Sequence, residues 1–328
     1  MKIAVLDDHQ QVALKFADWN ILPADTRVLA FKDHLTNIDA VKERLNSFDV
    51  VVAMRERTPF PRELLESLSD LQLLVTTGMR NASIDIAAAT NLGIMVCGTS
   101  GGGPSTAELA WGLILALLRH IPQEYESIRQ GHWQTTLGTD LKGKTLGLLG
   151  FGKLGSHMAV ISNAFGMSVI AWSQNLTAER ANKFGASLVT KDNLFTQSDV
   201  LSIHLKLSDR TKGLVGAHEL SLMKPAAYLI NTSRGPIVDE TALVKVLEAY
   251  KIAGAGLDVY NLEPLPLGHP LTKLDNVVMT PHLGYVTRET YQIFYPDAVE
   301  DIMAYLRGQP MRVLNPDVLG KHRGVKDN

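Results

Sequence analysis

Three ionisable residues in the last third of the chain, Arg234, Glu263 and His282, each lie just after a short apolar run. Such runs are typical of buried parallel strands, and open α/β sheets bind ligands beyond the carboxyl ends of their strands. An imidazole can donate a proton near neutral pH, a neighbouring carboxylate can orient it, and a guanidinium can bind a carboxylate through paired hydrogen bonds. These three types together suit the reduction of a 2-keto acid, or the reverse oxidation of a 2-hydroxy acid, because hydride addition to a carbonyl needs a nearby proton donor.

A glycine-rich segment at residues 145–155, TLGLLGFGKLG, indicates which cofactor would supply that hydride. Gly150, Gly152 and Gly155 have the spacing G-x-G-x-x-G between an apolar run and a helical pattern. In dinucleotide sites the first glycine permits a tight turn, the second admits the pyrophosphate, and the third lets helix and strand pack closely. An ordinary strand–helix turn is the alternative interpretation. A second apolar run at 168–172 favours the dinucleotide site.

Composition predicts a soluble globular protein without a charged binding surface. The 328 residues are 45% apolar and 20% charged, and the formal net charge is −2, so we expect neither a nucleic-acid nor a membrane partner. The single cysteine, Cys97, excludes an intrachain disulfide, and two early aspartates argue against a signal peptide. We therefore expect a cytoplasmic protein with a small-molecule substrate and no metal ion.

Strand-like runs alternate with helical patterns along the chain, which predicts parallel sheets covered by helices. The first series has predicted strands at 2–6, 27–31, 50–54, 73–77 and 94–97, and predicted helices at 11–19, 37–46, 62–67 and 84–91. The second has predicted helices at 105–120 and 156–165, and predicted strands at 145–149, 168–172, 200–205, 227–231, 253–258 and 277–280. The segment 123–141 shows no clean period.

A glycine run before Pro104 separates the two series, and a predicted helix at 288–307 follows the second. We expect that last helix to return to the first series. The expected domains are therefore a discontinuous substrate-binding domain, 1–102 with 287–328, and a dinucleotide-binding domain, 103–286.

The ordered motifs resemble those of the D-isomer-specific 2-hydroxyacid dehydrogenase family across nearly the whole chain. GLLGFGKLG resembles its dinucleotide motif, and SDVLSIHLKLSDRTKGLVG with LMKPAAYLINTSRGPIVDETAL resembles its central signature. GLDVYNLEPLP and TPHLGY resemble its closing motifs, and VTTGMRNASIDIAAA and GPSTAELAWGLILALLR fit its early segments. The resemblance implies two Rossmann-like, doubly wound parallel-sheet α/β domains with a deep cleft between them.

The same resemblance implies roles for individual residues. The family's catalytic arginine, glutamate and histidine match Arg234, Glu263 and His282, which implies that His282 is the acid/base, Glu263 its partner, and Arg234 the ligand of the substrate carboxylate and carbonyl. Backbone amides of the substrate domain would also bind the carboxylate, at Gly78, Met79 and Arg80. The implied cofactor contacts are Thr106, Gly150, Gly152, Lys153, Leu154, Gly155, Thr232, Ser233, Asp258 and Gly284.

Two departures from the family pattern concern the choice of cofactor. NAD-specific sites place an acidic residue about 20 residues beyond the glycines, on the ribose hydroxyls, whereas Ser173 occupies that position here. Lys206 stands where relatives often have proline, and it could reach an adenosine phosphate. We therefore expect NAD or NADP as the cofactor, with NADP accepted or even preferred.

Several residues remain open to two interpretations. Tyr285, where many relatives have small residues, could narrow the nicotinamide pocket or donate a hydrogen bond. Arg55 and Arg57 could meet the substrate or be solvated, while His204, inside an apolar strand, is expected to be a satisfied core residue.

The family fold also serves as a dinucleotide-regulated corepressor in some members, so a dinucleotide-sensing binding protein is the alternative to an enzyme. The catalytic residues do not separate the two, since such corepressors keep them. Relatives are usually homodimers through the dinucleotide domain. The resemblance therefore implies a homodimer, with 123–141 as the candidate arm and Trp133 as a candidate anchor.

Overall fold

The structure, a computed structural model, describes residues 1–101 and 103–320, and the chain divides into two compact units, Met1–Gly103 with Thr287–Asn328, and Pro104–Val286. Its strands are β1 (Lys2–Val5), β2 (Arg27–Ala30), β3 (Val50–Ala53), β4 (Leu73–Thr76), β5 (Met95–Gly98), β6 (Thr145–Leu149), β7 (Ser168–Trp172), β8 (Ser187–Leu188), β9 (Val200–Ile203), β10 (Tyr228–Asn231), β11 (Gly254–Leu257) and β12 (Val277–Met279). Its α-helices are α1 (Ala13–Phe16), α2 (Ile38–Leu45), α3 (Arg62–Ser67), α4 (Ile86–Asn91), α5 (Ser105–Leu118), α6 (Ile121–Arg129), α7 (Lys153–Ala164), α8 (Ala178–Asn182), α9 (Lys191–Gln197), α10 (Ala217–Leu222), α11 (Glu240–Glu248) and α12 (Arg288–Leu306).

The first unit is built on a five-stranded parallel sheet in the order β2-β1-β3-β4-β5. Every residue of β3 and β4 is buried, as expected for central strands covered on both faces. Helix α12 packs against α1 and β4 of this unit.

The second unit is built on a seven-stranded parallel sheet in the order β12-β11-β10-β9-β6-β7-β8. The chain runs outward from β6 to β8 and then restarts on the other side with β9, which is the Rossmann arrangement with an added strand. The carboxyl ends of β6 and β9 therefore flank the switch point at which such sheets bind ligands. The predicted fold class, two doubly wound parallel-sheet α/β domains, is confirmed.

The structure adds one strand, β8, and four helices, α8, α9, α10 and α11, that were not predicted, and it differs from the prediction at three further helices. The helix predicted at 11–19 shrinks to α1, because the Asp8 carboxylate accepts the N–H groups of Val12 and Ala13 and so delays the helix start. Helix α7 begins at Lys153 rather than 156, directly after Gly152, so the third glycine, Gly155, lies within the helix. Helix α6 lies in the segment where no period was predicted.

Within residues 1–101 and 103–320, no helix combines the length and the apolar character needed to cross a membrane.

Candidate active site

The glycine motif forms the turn between β6 and α7 in the second unit. Gly150 has a φ of +102°, and a Cβ there would lie 2.5 Å from the carbonyl oxygen of His204. A Cβ on Gly155 would meet the Gly150 carbonyl oxygen, whereas a Cβ on Gly152 would enter open space. The turn thus has the tight bend, the close packing and the open face that a pyrophosphate needs at a helix N-terminus. Lys153 and Leu154 are the first residues of that helix.

Ser173 and Lys206 follow the two strands that neighbour β6. The Gly150 N–H donates to the Trp172 carbonyl at 2.8 Å, which places Ser173 next to the glycine turn on the β7 side. On the β9 side the backbone of His204 lies against Gly150, and Lys206, two residues further, is exposed. The position that carries an acidic residue in NAD-specific sites thus holds a neutral hydroxyl here.

Of the predicted polar cofactor contacts, Thr232 has unused hydrogen-bonding capacity. It follows β10, and its hydroxyl is buried without a partner among the described residues. The hydroxyls of Ser233 and Thr106 donate to the carbonyls of Ile203 and Gly284, at 2.7 and 2.8 Å. Buried hydroxyls almost always have partners, so the orphaned Thr232 hydroxyl fits a bound ligand at this edge of the sheet.

His204 also differs from the sequence expectation. Its Nε2 lies 2.8 Å from the Ser202 hydroxyl, but its Nδ1 is buried with no partner within residues 1–101 and 103–320. The expectation of a satisfied core histidine is therefore wrong for one of its two nitrogens. Burial lowers the pKa of His204 to about 4, because a charged ring would lose its hydration there.

Acid should weaken the fold through His204. An unfolded histidine titrates near pH 6.5 and the folded one near 4, so the unfolded chain binds the extra proton between those values. Stability should fall by up to ~3 kcal/mol as the pH drops through this interval. Urea unfolding of the cofactor-free protein from pH 7 to pH 4 measures this loss, which should be smaller in His204→Asn; equal losses in both proteins would contradict it.

Glu263 and His282 form the central pair of the site. The Glu263 Oε2 lies 2.6 Å from the His282 Nδ1, and the Glu263 Oε1 accepts the Tyr260 N–H at 3.0 Å. His282 has a left-handed backbone with a φ of 54°. The carboxylate thus fixes the orientation of the imidazole ring through Nδ1.

Asp258 holds the loop that carries His282. This fully buried carboxylate accepts the Thr280 hydroxyl at 2.6 Å and the N–H groups of Leu283 and Gly284 at 2.7 and 2.8 Å. Burial raises the pKa of Asp258, and these hydrogen bonds oppose that rise. The resemblance implied a cofactor contact for Asp258. The structure shows that both of its oxygens already bind the loop.

Arg234 lies in the turn after β10, in an extended conformation. The Asn231 side chain spans this turn, because its Nδ2 donates to the Arg234 carbonyl and its Oδ1 accepts the Ser233 N–H. The next residue, Gly235, lies against the Tyr260 backbone with no room for a Cβ. The turn of Arg234 is therefore packed on the segment that leads to Glu263.

The sequence motifs did not identify the side chains that hold the backbone at this edge of the sheet. Tyr260 is buried and donates its hydroxyl to the carbonyls of Thr280 and Leu257, at 3.0 and 3.2 Å. Asn231, Tyr260 and Thr280 all lie in the strand-end motifs, so the motifs pointed to the right segments. Which of their side chains bind backbone depends on loop geometry that a pattern does not contain.

The predicted substrate amides lie in the first unit, after β4. The Gly78 N–H already donates to the Thr99 hydroxyl at 2.8 Å, and Gly78 has a φ of +89°. Arg55 covers this turn, with its guanidinium donating to the Thr77 carbonyl at 3.1 Å. Met79 and Arg80, the next two residues, are exposed. Among the described residues there is no group of three or more His, Cys, Asp or Glu side chains that could hold a metal ion.

Comparison with known proteins identifies the family of this chain. Residues 111–284 match the family model described as the NAD binding domain of D-isomer specific 2-hydroxyacid dehydrogenases. The chain is 41% identical over 268 residues to a glyoxylate reductase of Aeropyrum pernix, covering 78% of this chain and 80% of that protein.

The chain is also similar to a longer relative and to a solved structure. A D-3-phosphoglycerate dehydrogenase of Archaeoglobus fulgidus is 35% identical over 315 residues, which span 95% of this chain and 58% of that protein. The chain thus covers little more than half of that relative. A crystal structure of a phosphoglycerate oxidoreductase from Vibrio cholerae is 37% identical and matches with a TM-score of 0.89, over 94% of this chain and 99% of that one.

Proposed function

Because the chain belongs to the D-isomer-specific 2-hydroxyacid dehydrogenase family, we propose that it reduces a 2-keto acid to a D-2-hydroxy acid, or catalyses the reverse oxidation, with NAD or NADP as its cofactor. The observation that carries this proposal is the Glu263–His282 pair, which lies at the edge of the sheet whose switch point carries the glycine turn. A positioned acid beside a dinucleotide site is what carbonyl reduction requires.

The residues divide the reaction between them. A bound reduced nicotinamide supplies the hydride. The Nε2 of His282 donates a proton to the carbonyl oxygen as the carbonyl carbon is reduced, and Glu263 stabilises the charged imidazole through Nδ1. Arg234 binds the carboxylate of the substrate through paired hydrogen bonds. The same guanidinium polarises the keto carbonyl of the substrate. For the first unit, we assign the N–H groups of Met79 and Arg80 to the carboxylate of the substrate.

We propose that NADP is accepted as well as NAD, or even preferred. At the position where NAD-specific sites carry an acidic residue, Ser173 has no carboxylate to repel a 2′-phosphate. The exposed Lys206 adds a positive charge on the other side of the glycine turn. Steady-state reduction of a 2-keto acid with NADPH and with NADH tests both the activity and this preference. If the protein binds both cofactors but reduces no keto acid with either, the alternative function, a dinucleotide-sensing binding protein, would be favoured.

Replacement of Ser173 by aspartate should shift cofactor use toward NADH. The new carboxylate would repel the 2′-phosphate of NADPH and accept hydrogen bonds from the ribose hydroxyls of NADH, so the kcat/KM ratio of NADPH to NADH should fall about tenfold or more. Ser173→Asn is the matched control, because asparagine has the shape of aspartate without its charge. A ratio that is equal in both variants would contradict the assignment.

We further propose a homodimer through the segment 123–141 together with the start of α6. Helix α6 exposes Ile121, Tyr125 and Ile128, which share one face, and Trp133 and Leu137 that follow are 74% and 92% exposed. An apolar surface of this kind is typical of a subunit interface.

Replacement of Leu137 by aspartate should therefore yield monomers, because the charge would have to be buried in the interface. Light scattering coupled to size exclusion measures the mass of each variant. Leu267→Asp is the control, because Leu267 is a fully exposed leucine in another loop. A wild-type protein that is monomeric, or an L137D variant with the wild-type mass, would contradict the proposed interface.

A further inference from the structure

The backbone around Tyr285 is held in place from several sides. Asp258 accepts the N–H groups of Leu283 and Gly284, and the Thr106 hydroxyl donates to the Gly284 carbonyl at 2.8 Å. The Val286 N–H closes a turn onto the Leu283 carbonyl at 2.8 Å. The residues on both sides of Tyr285 are hydrogen-bonded, so its backbone has a defined position.

That ring contacts the imidazole of His282. The two centroids are 5.7 Å apart and the planes cross at 75°, which is the edge-to-face arrangement that aromatic rings favour. Tyr285 is only half-buried. Glu263 holds the same imidazole through Nδ1 at 2.6 Å, so the ring is restrained by a hydrogen bond in its plane and by an aromatic contact.

We propose, on the basis of the proposed function, that Tyr285 positions His282 and limits the size of the substrate. A carbonyl oxygen that accepts a proton from the Nε2 of His282 lies within hydrogen-bond distance of it, so the substituent on the carbonyl carbon comes within a few ångströms of the imidazole. The phenol ring occupies part of that neighbourhood. The preferred substrates are therefore 2-keto acids with a small third substituent, such as glyoxylate or pyruvate, rather than those with a bulky one, such as phenylpyruvate.

Three variants separate positioning from size selection. Tyr285→Ala removes both the contact and the bulk, Tyr285→Leu keeps most of the bulk without the aromatic edge, and Tyr285→Phe keeps the ring. Tyr250→Ala is the control for loss of a tyrosine, because Tyr250 is an exposed residue two positions after the end of α11. Thermal melts and cofactor binding of each variant establish that it is folded.

Kinetics with glyoxylate and phenylpyruvate give the result. In Y285A, kcat for glyoxylate should fall about tenfold, and the kcat/KM ratio of phenylpyruvate to glyoxylate should rise about tenfold or more, since a methylene-sized change in a pocket already alters specificity by 10-fold or more. Y285L should lose kcat with a smaller change in the ratio, and Y285F should restore both quantities toward wild type.

Two outcomes would overturn the inference while leaving the proposed function intact. The first is a Y285A variant with the wild-type ratio, and the second is a Y285F variant that behaves as Y285A does, which would assign the effect to the hydroxyl. A wild-type protein that binds cofactor and reduces no 2-keto acid would instead overturn the proposed function and this inference with it.

Discussion

Replacement of His282 by alanine is expected to lower kcat for keto-acid reduction by about a hundredfold or more while cofactor binding is kept. A positioned general acid contributes roughly 10²- to 10⁴-fold to such a step. Of the two ring nitrogens, Nδ1 is already bound to Glu263 at 2.6 Å, so proton donation depends on Nε2 alone. Alanine removes that donor, and the glycine turn and α7 lie on other elements of the unit.

Steady-state reduction at saturating keto acid measures kcat, and titration of the reduced cofactor measures its binding separately. His218→Ala is the control, because His218 is an exposed histidine on α10 in the same unit. The H282A variant should bind cofactor with an affinity close to that of wild type. A kcat within a few-fold of the wild-type value would remove His282 as the acid.

Replacement of Arg234 by alanine should damage substrate binding and turnover together. A hydrogen bond to a charged group contributes about 1.5–3 kcal/mol, so loss of a paired contact should lower kcat/KM by about a hundredfold or more. Both KM and kcat should change, because the same guanidinium binds the carboxylate and polarises the carbonyl.

Arg234→Lys is the matched variant for this prediction. Lysine keeps the charge but cannot make the planar, two-pronged contact, so its kcat/KM should lie between those of wild type and R234A. Steady-state kinetics over a wide range of keto-acid concentration measure this order. A lysine variant as active as wild type would show that only the charge matters. An unchanged kcat/KM in R234A would contradict the assignment.

Much of the fold could be predicted because continuous apolar runs are the strongest signal of buried parallel strands. The strands predicted at 145–149 and 168–172 are β6 and β7 with the same bounds, and the helix predicted at 62–67 is α3. Helix α6 escaped detection although Ile121, Tyr125 and Ile128 have helical spacing. These apolar residues are exposed rather than packed, and the helix is only nine residues long.

The site was predictable to the level of which side chains follow which strands. Glu263 and His282 follow β11 and β12, which are neighbours in the sheet, and the expected contact between them is present. The support of that pair could not be predicted, because the three hydrogen bonds of Asp258 depend on the backbone path of residues 280–284. For the same reason, the pattern could not show that the Gly78 N–H is already engaged by Thr99.

The measurement that tests the account most directly is a reduction assay with glyoxylate, hydroxypyruvate, pyruvate and phenylpyruvate, each with NADPH and with NADH, combined with chiral analysis of the product. Cofactor absorbance follows turnover, and the chiral analysis is done on those substrates whose products have a stereocentre. We expect turnover with at least one substrate, use of NADPH as well as NADH or in preference to it, and a product of D configuration. An L product, or no turnover with any substrate while both cofactors bind, would contradict the account.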